Sequence, residues 1–465
     1  MTRAASAPNQ FALLASRRFL PFFVTQFLGA LNDNVFKNAL LIVLAYRGGS
    51  LFGLHGAILV NVAAAVFILP YVFLSASAGQ WADKYEKTRL MRAVKVAEIG
   101  IMLIGAAGFM WNRTDLLFLA LLLMGCHSTV FGPAKYALLP QQLAPAELVG
   151  GNALVETGTF IAILLGTLLG GGLVASSEVG VVPVSLATLA IAVLGYLASR
   201  AIPPAPSMEP GLRLNPNPLG ETLANLRLAA RDRTLFLALL ANSWFWFYGA
   251  VFLTQFPSWA HDSLHGNESV TVVLLTALSV GIGVGSLLCE RLSRRGLNLG
   301  LVPLGLSGMV VFAWLLPLTA VAVERSVEVV HGVRRVGADG LFSIRDVYLT
   351  LSVPDFIGGP GALTIAVLVG MGISAGLYTV PLYTLIQSRS DPRQVSRMIA
   401  ANNVLNAVAM VLSSVLAIAL FALGASIANV FQACAAATLV FLLVLCVLAP
   451  EYRLGLNDWL RRSRS

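Results

Sequence analysis

Apolar runs of about 20 residues recur along the whole chain, and each could cross a bilayer core of about 30 Å as a helix. They lie near 19–46, 56–80, 92–111, 116–139, 150–175, 181–200, 234–260, 270–291, 298–323, 362–387, 397–422 and 426–449. In hydrocarbon a backbone satisfies its own polar groups only as a helix or a closed barrel. Runs this long and unbroken select the helix. The predicted fold is an all-α polytopic membrane protein with twelve transmembrane helices. Composition agrees: 57% of residues are hydrophobic and 11% charged, where soluble domains carry about 25% charged residues. The first run is too long for a cleavable signal and holds Asp33 and Lys37, so it reads as a retained span.

The net charge of +9 raises the question of nucleic acid, and its distribution answers it. With the N-terminus inside, most Lys and Arg fall on the cytoplasmic side, including Arg17, Arg18, Lys84, Arg92, Arg200, Arg294 and Arg397. Arg47, Arg113, Arg325, Arg334, Arg335 and Arg345 fall outside. That asymmetry is the positive-inside pattern. It predicts cytoplasmic N- and C-termini, an inner (plasma) membrane protein and contact with anionic lipid, and argues against nucleic acid. Cys126, Cys289, Cys434 and Cys446 all lie in spans without ligand spacing, so they read as packing residues.

The chain divides into an N-terminal six-helix half (1–200), a Pro-rich cytoplasmic linker (201–233), a C-terminal six-helix half (234–449) and a cytoplasmic tail (450–465). The halves echo each other. "GQWADKYEKTR" follows span 2 and "SLLCERLSRRG" follows span 8, which aligns Asp83 with Glu290 and Lys84 with Arg291. "GNALVE" opens span 5 and "ANNVLN" opens span 11. The second half carries an extra outer segment, 324–361, between spans 9 and 10. Its "VEVVHGVRRV" and "LFSIRDVYLTLSV", separated by "GADG", predict a small β-like extracytoplasmic insertion.

The first span contains Asp33, Asn34, Lys37 and Asn38. Charges at this depth almost always face a bundle interior or a water-filled cavity. Asp33 and Lys37 share a face at i and i+4, with Gln26 on the same stripe and Asn34 and Asn38 beside it. They either line a cavity or neutralise each other as a pair. Lys135 and Glu156 lie at similar depth across the hairpin joining spans 4 and 5 and could pair. Lys135 could also meet a phosphate as a point charge, or snorkel. Spans 1–6 hold Asp33, Lys37, Lys95, Glu98, Lys135 and Glu156, whereas spans 7–12 offer Gln255, Asn403 and Tyr383 beside Trp246 and many apolar residues. A polar half facing an apolar half suits an amphipathic solute.

These features resemble the major facilitator superfamily. Its loop signature between spans 2 and 3 is met by Gly79, Asp83, Lys84 and Lys87, with Glu86 in place of the second glycine. A narrower resemblance, to the lysophospholipid transporter family, rests on "QFLGALNDNVFKNAL", "FGPAKYALLP", "GNALVETGTFIAILLGTLLGG", "NSWFWFYGA" and "PLYTLIQSRS". It implies a monomeric transporter without cofactor or metal. Such a protein moves lysophospholipid, lysophosphatidylethanolamine above all, from outer to inner leaflet by alternating access. An acyltransferase and acyl-carrier-protein synthetase partner then reacylates it. The expected substrate contacts are Asp33, Asn34, Lys37, Lys135, Glu156, Trp246, Gln255 and Asn403. The expected cytoplasmic latch is Asp83, Lys84 and Arg89 with Glu290 and Arg291.

Two other classes compete. A proton-coupled exporter of drugs or other amphiphiles would use Asp33 or Glu156 as its titrating group. A membrane-embedded lipid acyltransferase would need a histidine oriented by an acid in His-x-x-x-x-Asp spacing. None of His55, His127, His261, His265 and His331 has it.

Overall fold

The computed structural model describes residues 9–46, 50–51, 54–175, 181–266, 268–293, 296–330, 353–359 and 361–463. The helices are α1 (Leu20–Tyr46), α2 (Gly56–Lys84), α3 (Lys87–Met110), α4 (Thr114–Gln142), α5 (Leu148–Ala175), α6 (Val181–Arg200), α7 (Pro218–Ala229), α8 (Arg233–Asp262), α9 (Glu268–Ser293), α10 (Leu301–Val330), α11 (Val353–Gly358), α12 (Gly361–Arg389), α13 (Val395–Ala422), α14 (Ile427–Leu448) and α15 (Pro450–Ser463). Of these, 12 are long and apolar enough to span a membrane. Two two-residue strands, Ser50–Leu51 and Leu54–His55, pair antiparallel between α1 and α2.

The chain forms two compact units. The first comprises Met1–Ser243, Cys289–Asn298 and Val380–Val408. Within it α1 packs on α5 and α6, α2 on α4, and α3 on α4 and α6. Its core includes Phe36, Leu40, Met102, Phe109, Leu121 and Met124. Phe36 meets Phe109 edge-on at 5.6 Å.

The linker is built onto this unit. Asn217 caps α7 through its side chain, with Pro218 at the first helical position, and α7 packs against α2. Upstream, Thr88 donates to the Pro203 carbonyl at 2.9 Å, and Gln80 accepts from the Asn215 N–H at 2.6 Å. Glu86 caps α3 through the Thr88 and Arg89 N–H groups and also accepts from the Ala205 N–H at 2.9 Å. Burial pushes the Glu86 carboxyl up, but the Ala205 N–H and the α3 cap bonds outweigh it and hold the group below its ordinary value.

The second unit comprises Trp244–Leu288, Leu299–Thr379 and Ala409–Ser465. An aromatic cluster of Phe252, Phe256, Trp259 and Phe431 joins α8 to α14, and the Tyr248 hydroxyl donates to the Met309 carbonyl at 2.9 Å. Helices α9 and α12 approach through paired small residues, Gly281 and Gly285 against Gly372 and Gly376. A Cβ at position 281 would lie 2.5 Å from the Val369 carbonyl oxygen and 2.9 Å from the Gly372 Cα. Neither atom can yield without moving a helix. Gly281→Val therefore lowers stability by roughly 1–3 kcal/mol or more. This is read as a drop in the melting temperature of the detergent-solubilised protein; an unchanged value would contradict the packing.

The predicted insertion is corrected in part. Val327–Val330, read as the start of a strand, belong to the last turn of α10, and Val353 begins α11. Once a helix is running, each added residue gains a hydrogen bond without a new nucleation cost, which overrides the β propensity of valine. The rest of the expected β element, 331–352, lies outside the described residues.

Candidate functional site

The polar stripe of α1 meets polar groups of α4 and α5. Asp33 Oδ2 accepts a 2.6 Å hydrogen bond from the Ser128 hydroxyl of α4. Its other oxygen is enclosed without a hydrogen-bond partner. Lys37 makes no direct ion pair with Asp33; its ammonium lies over the Phe67 ring, 4.4 Å from the centroid. The two charges are therefore held apart. Asn34 and Asn38 turn toward their own helix, donating to the Ala30 and Asn34 carbonyls, and Asn38 also reaches Thr167 of α5 at 3.1 Å. Gly166 of α5 packs against the Asn34 Cβ, so this second stripe lies at the α1–α5 contact.

Seven residues earlier on α1, Gln26 accepts from Thr159 of α5 at 3.1 Å. Lys135 donates to the same Thr159 hydroxyl at 3.2 Å, and its ammonium lies 4.9 Å from the Tyr136 ring centroid. Glu156, one of its possible partners, accepts from the Tyr136 hydroxyl at 2.5 Å. So the structure brings Lys135 and Glu156 to one level and gives each a separate neutral partner. Asn403 joins them, since its amide stands against Gly132, one turn before Lys135 on α4. Tyr136 stacks on Tyr383 with centroids 4.3 Å apart. Trp246 and Gln255 belong to the second unit. There Trp246 meets Phe245 edge-on at 5.6 Å and Gln255 donates to Thr254 at 3.3 Å.

One ionic cluster was missed as a unit. Lys95 and Glu98 pair at 2.5 Å with side-chain exposures of 0% and 1%. Asn32 donates to the other Glu98 oxygen at 2.7 Å. His127 Nε2 stands 3.1 Å from Glu98 without the alignment of a formed hydrogen bond. Lys95 reaches this position because Gly29 and Gly195 leave room for it; a Cβ there would lie 2.7 and 3.3 Å from its nitrogen. The cluster ties α1, α3 and α4 together directly behind Asp33 and Ser128. The i,i+3 spacing of Lys95 and Glu98 in an apolar helix was the available signal.

At the C-terminal end of α2, Asp83 of the expected latch meets the start of α13. Asp83 accepts from the N–H groups of Ser396 and Arg397 at 3.2 and 3.3 Å and from Arg397 Nε at 3.1 Å. A carboxylate here caps the first turn of α13 and is favoured by the helix dipole. Arg397 also pairs with Glu209 of the linker. Asn152 and Gln387 exchange amide hydrogen bonds at 2.6 and 3.1 Å, and Gln387 donates to the Tyr136 carbonyl at 3.0 Å. Glu290 accepts from the Gln10 N–H at 3.2 Å and lies against Gly150 in the first turn of α5. Two expected members stand apart: Arg89 is 85% exposed beside Glu86 at 3.6 Å, and Lys84 faces Tyr85. Arg291 is exposed at the end of α9. Arg397, Gln387 and Asn152 are the residues that sequence reasoning left out. Among the described residues no three His, Cys, Asp or Glu side chains converge as a metal site.

Residues 22–333 match the family model described as Major Facilitator Superfamily. The chain is 28% identical over 275 residues to the lysophospholipid transporter LplT of Serratia proteamaculans (strain 568), which covers 59% of this chain and 65% of that protein. It is 29% identical over 300 residues to the lysophospholipid transporter LplT of Cronobacter sakazakii (strain ATCC BAA-894), covering 62% and 71%. The match to the Serratia protein thus falls just short of two thirds of its length. Among solved structures, the human organic anion transporter MFSD10 superposes with a TM-score of 0.70 at 15% identity, over 92% of this chain and 99% of that one. A point variant of the E. coli fucose:proton symporter FucP gives 0.65 at 13% identity, over 93% and 100%. Both likenesses concern the fold alone.

Proposed function

The chain belongs to the Major Facilitator Superfamily, and on that premise we propose that it is a lipid transporter of a bacterial inner membrane and not an enzyme. Its substrate is a lysophospholipid, with lysophosphatidylethanolamine as the reference case. It carries the substrate from the outer to the inner leaflet by alternating access of two six-helix halves, 1–200 and 234–449, with both termini cytoplasmic. A separate acyltransferase activity consumes the product.

One observation carries the reading: Asp33 and Lys135 are opposite charges in membrane-spanning helices, and neither is neutralised by a direct ion pair. Asp33 has a serine hydroxyl, and Lys135 a threonine hydroxyl and an aromatic ring. The heights of their helix positions differ by the Gln26-to-Asp33 step on α1, about 10 Å at 1.5 Å per residue. A zwitterionic headgroup answers both, its ammonium against Asp33 and its phosphate against Lys135, with Lys37 as a second cation. Glu156 holds Tyr136 in place beside Lys135, and Asn403 supplies a neutral donor. Trp246 and Gln255 are proposed as acyl-chain and polar contacts from their chemistry alone.

Lys135→Ala tests the assignment. A hydrogen bond to a charged group is worth about 1.5–3 kcal/mol, so uptake of lysophosphatidylethanolamine falls by at least about tenfold. Uptake of an uncharged monoacylglycerol, where the wild type accepts it, stays near the wild-type value. Equal loss for both solutes would assign Lys135 a structural role instead.

A further inference from the structure

We propose that the end of the first unit where α1 begins and α6 ends binds the headgroup of an anionic phospholipid. A cavity of about 530 Å³ opens there, lined by Arg17, Arg18, Arg92, Arg200 and residues 201–204. None of the lining residues is acidic. Arg18 is already neutralised by Glu147 through two contacts of 2.5 and 2.7 Å. Arg92 is fixed by donating to the carbonyls of Ser199, Arg200 and Ile202 at 3.3, 3.2 and 3.1 Å. Those bonds aim the guanidinium without cancelling its charge. Arg17 and Arg200 are exposed. The cavity therefore carries the positive charge of Arg17, Arg92 and Arg200.

Two features choose the ligand. All the cations are arginine, whose planar fork matches phosphate oxygens in pairs where lysine offers a point charge. The helices that carry Arg92 and Arg200 also expose apolar side chains on the same faces. Val96 follows Arg92 by four residues and is 52% exposed; Leu197 precedes Arg200 by three and is 51% exposed. Leu20, the first residue of α1 after the turn that holds Arg17, is exposed as well. Since α6 packs on both α1 and α3, these apolar stripes run side by side into the membrane-spanning part of the helices. A phosphodiester with acyl chains fits both elements, while a free phosphate or soluble phosphate ester uses the arginines alone. The site is separate from Asp33 and Lys135 and does not depend on which solute is transported.

The test is native mass spectrometry of the full chain released from detergent, with phosphatidylglycerol and phosphatidylcholine as competing probes. The wild type retains phosphatidylglycerol in preference. With each arginine near an anionic headgroup contributing about a fivefold preference, Arg17→Gln/Arg200→Gln weakens that retention by roughly 30-fold. Inorganic phosphate alone does not displace the lipid. Equal retention of the two lipids by the wild type overturns the proposal, as does undiminished phosphatidylglycerol retention by a folded double variant. Displacement by inorganic phosphate would assign the cavity to a soluble anion and overturn the lipid. A measurement on the wild type covers a variant that fails to fold: photoactivatable phosphatidylglycerol should label the segments around Arg17 and Arg92. Labelling confined elsewhere sinks the site.

Discussion

Lys95→Met removes about 3–5 kcal/mol of stability, the usual cost of leaving one member of a buried ion pair alone, and Lys95→Met/Glu98→Gln restores much of it. Lys95 and Glu98 are almost wholly enclosed and 2.5 Å apart. Without the ammonium, the Glu98 carboxylate keeps the Asn32 amide and His127 as neighbours but loses its fixed positive partner. Glutamine at 98 removes the charge and can still accept from Asn32. Methionine approximates the length of the lysine stem that passes Gly29 and Gly195. The readout is the melting temperature and yield of folded protein for wild type, both single variants and the double variant. Equal stability of Lys95→Met and wild type would contradict the assignment of this pair as the tie between α1, α3 and α4.

Asp83→Asn releases the latch. The carboxylate caps α13 through two backbone N–H groups and pairs with Arg397. Asparagine can still accept from the helix end, but it offers no charge to Arg397 or to the helix dipole. Truncating one partner of a largely buried, hydrogen-bonded charge pair costs several kcal/mol. With Asp83 proposed as a latch residue, that cost is assigned to a form closed at the cytoplasmic side, and the expected shift is toward the form open there. Cysteines placed on the cytoplasmic half of α13 become more accessible to a membrane-impermeant thiol reagent, and turnover falls while the yield of folded protein holds. Arg397→Gln gives the same shift, which separates the latch from a general effect on α2. Unchanged labelling in both variants would contradict it.

The spans were legible because hydropathy and length alone decide whether a segment crosses a bilayer. Asp33 was legible for a related reason: a carboxylate at that depth has few places to go. Its partner was not, because Ser128 is one of many hydroxyls in apolar helices and spacing does not say which one faces α1. The direct pairing considered for Lys135 and Glu156 did not form because Thr159 and Tyr136 offered closer partners. Arg397 was hidden among several bases in loops and at helix ends, and only the packing of α13 against the end of α2 selects it. Helix α7 was overlooked although its signals were present. Asn217 as cap and Pro218 at the first position are start signals, but the prolines around them made the whole segment read only as a linker. Lys84, which fits the loop signature, and Arg89, expected beside it from its charge, lie against Tyr85 and Glu86.

Asp33 is proposed as a substrate-facing charge that acts independently of Lys37. The most direct measurement is the initial rate of lysophosphatidylethanolamine translocation in proteoliposomes, compared between wild type, Asp33→Asn and Asp33→Asn/Lys37→Met at equal protein incorporation. The wild type translocates the lipid, and Asp33→Asn slows it by about tenfold or more through loss of a charge-assisted hydrogen bond. The double variant is expected to be at least as slow as Asp33→Asn, because Lys37 lies over Phe67 and makes no direct ion pair with Asp33. Recovery of the double variant to the wild-type rate, or no translocation by the wild type, would contradict the account.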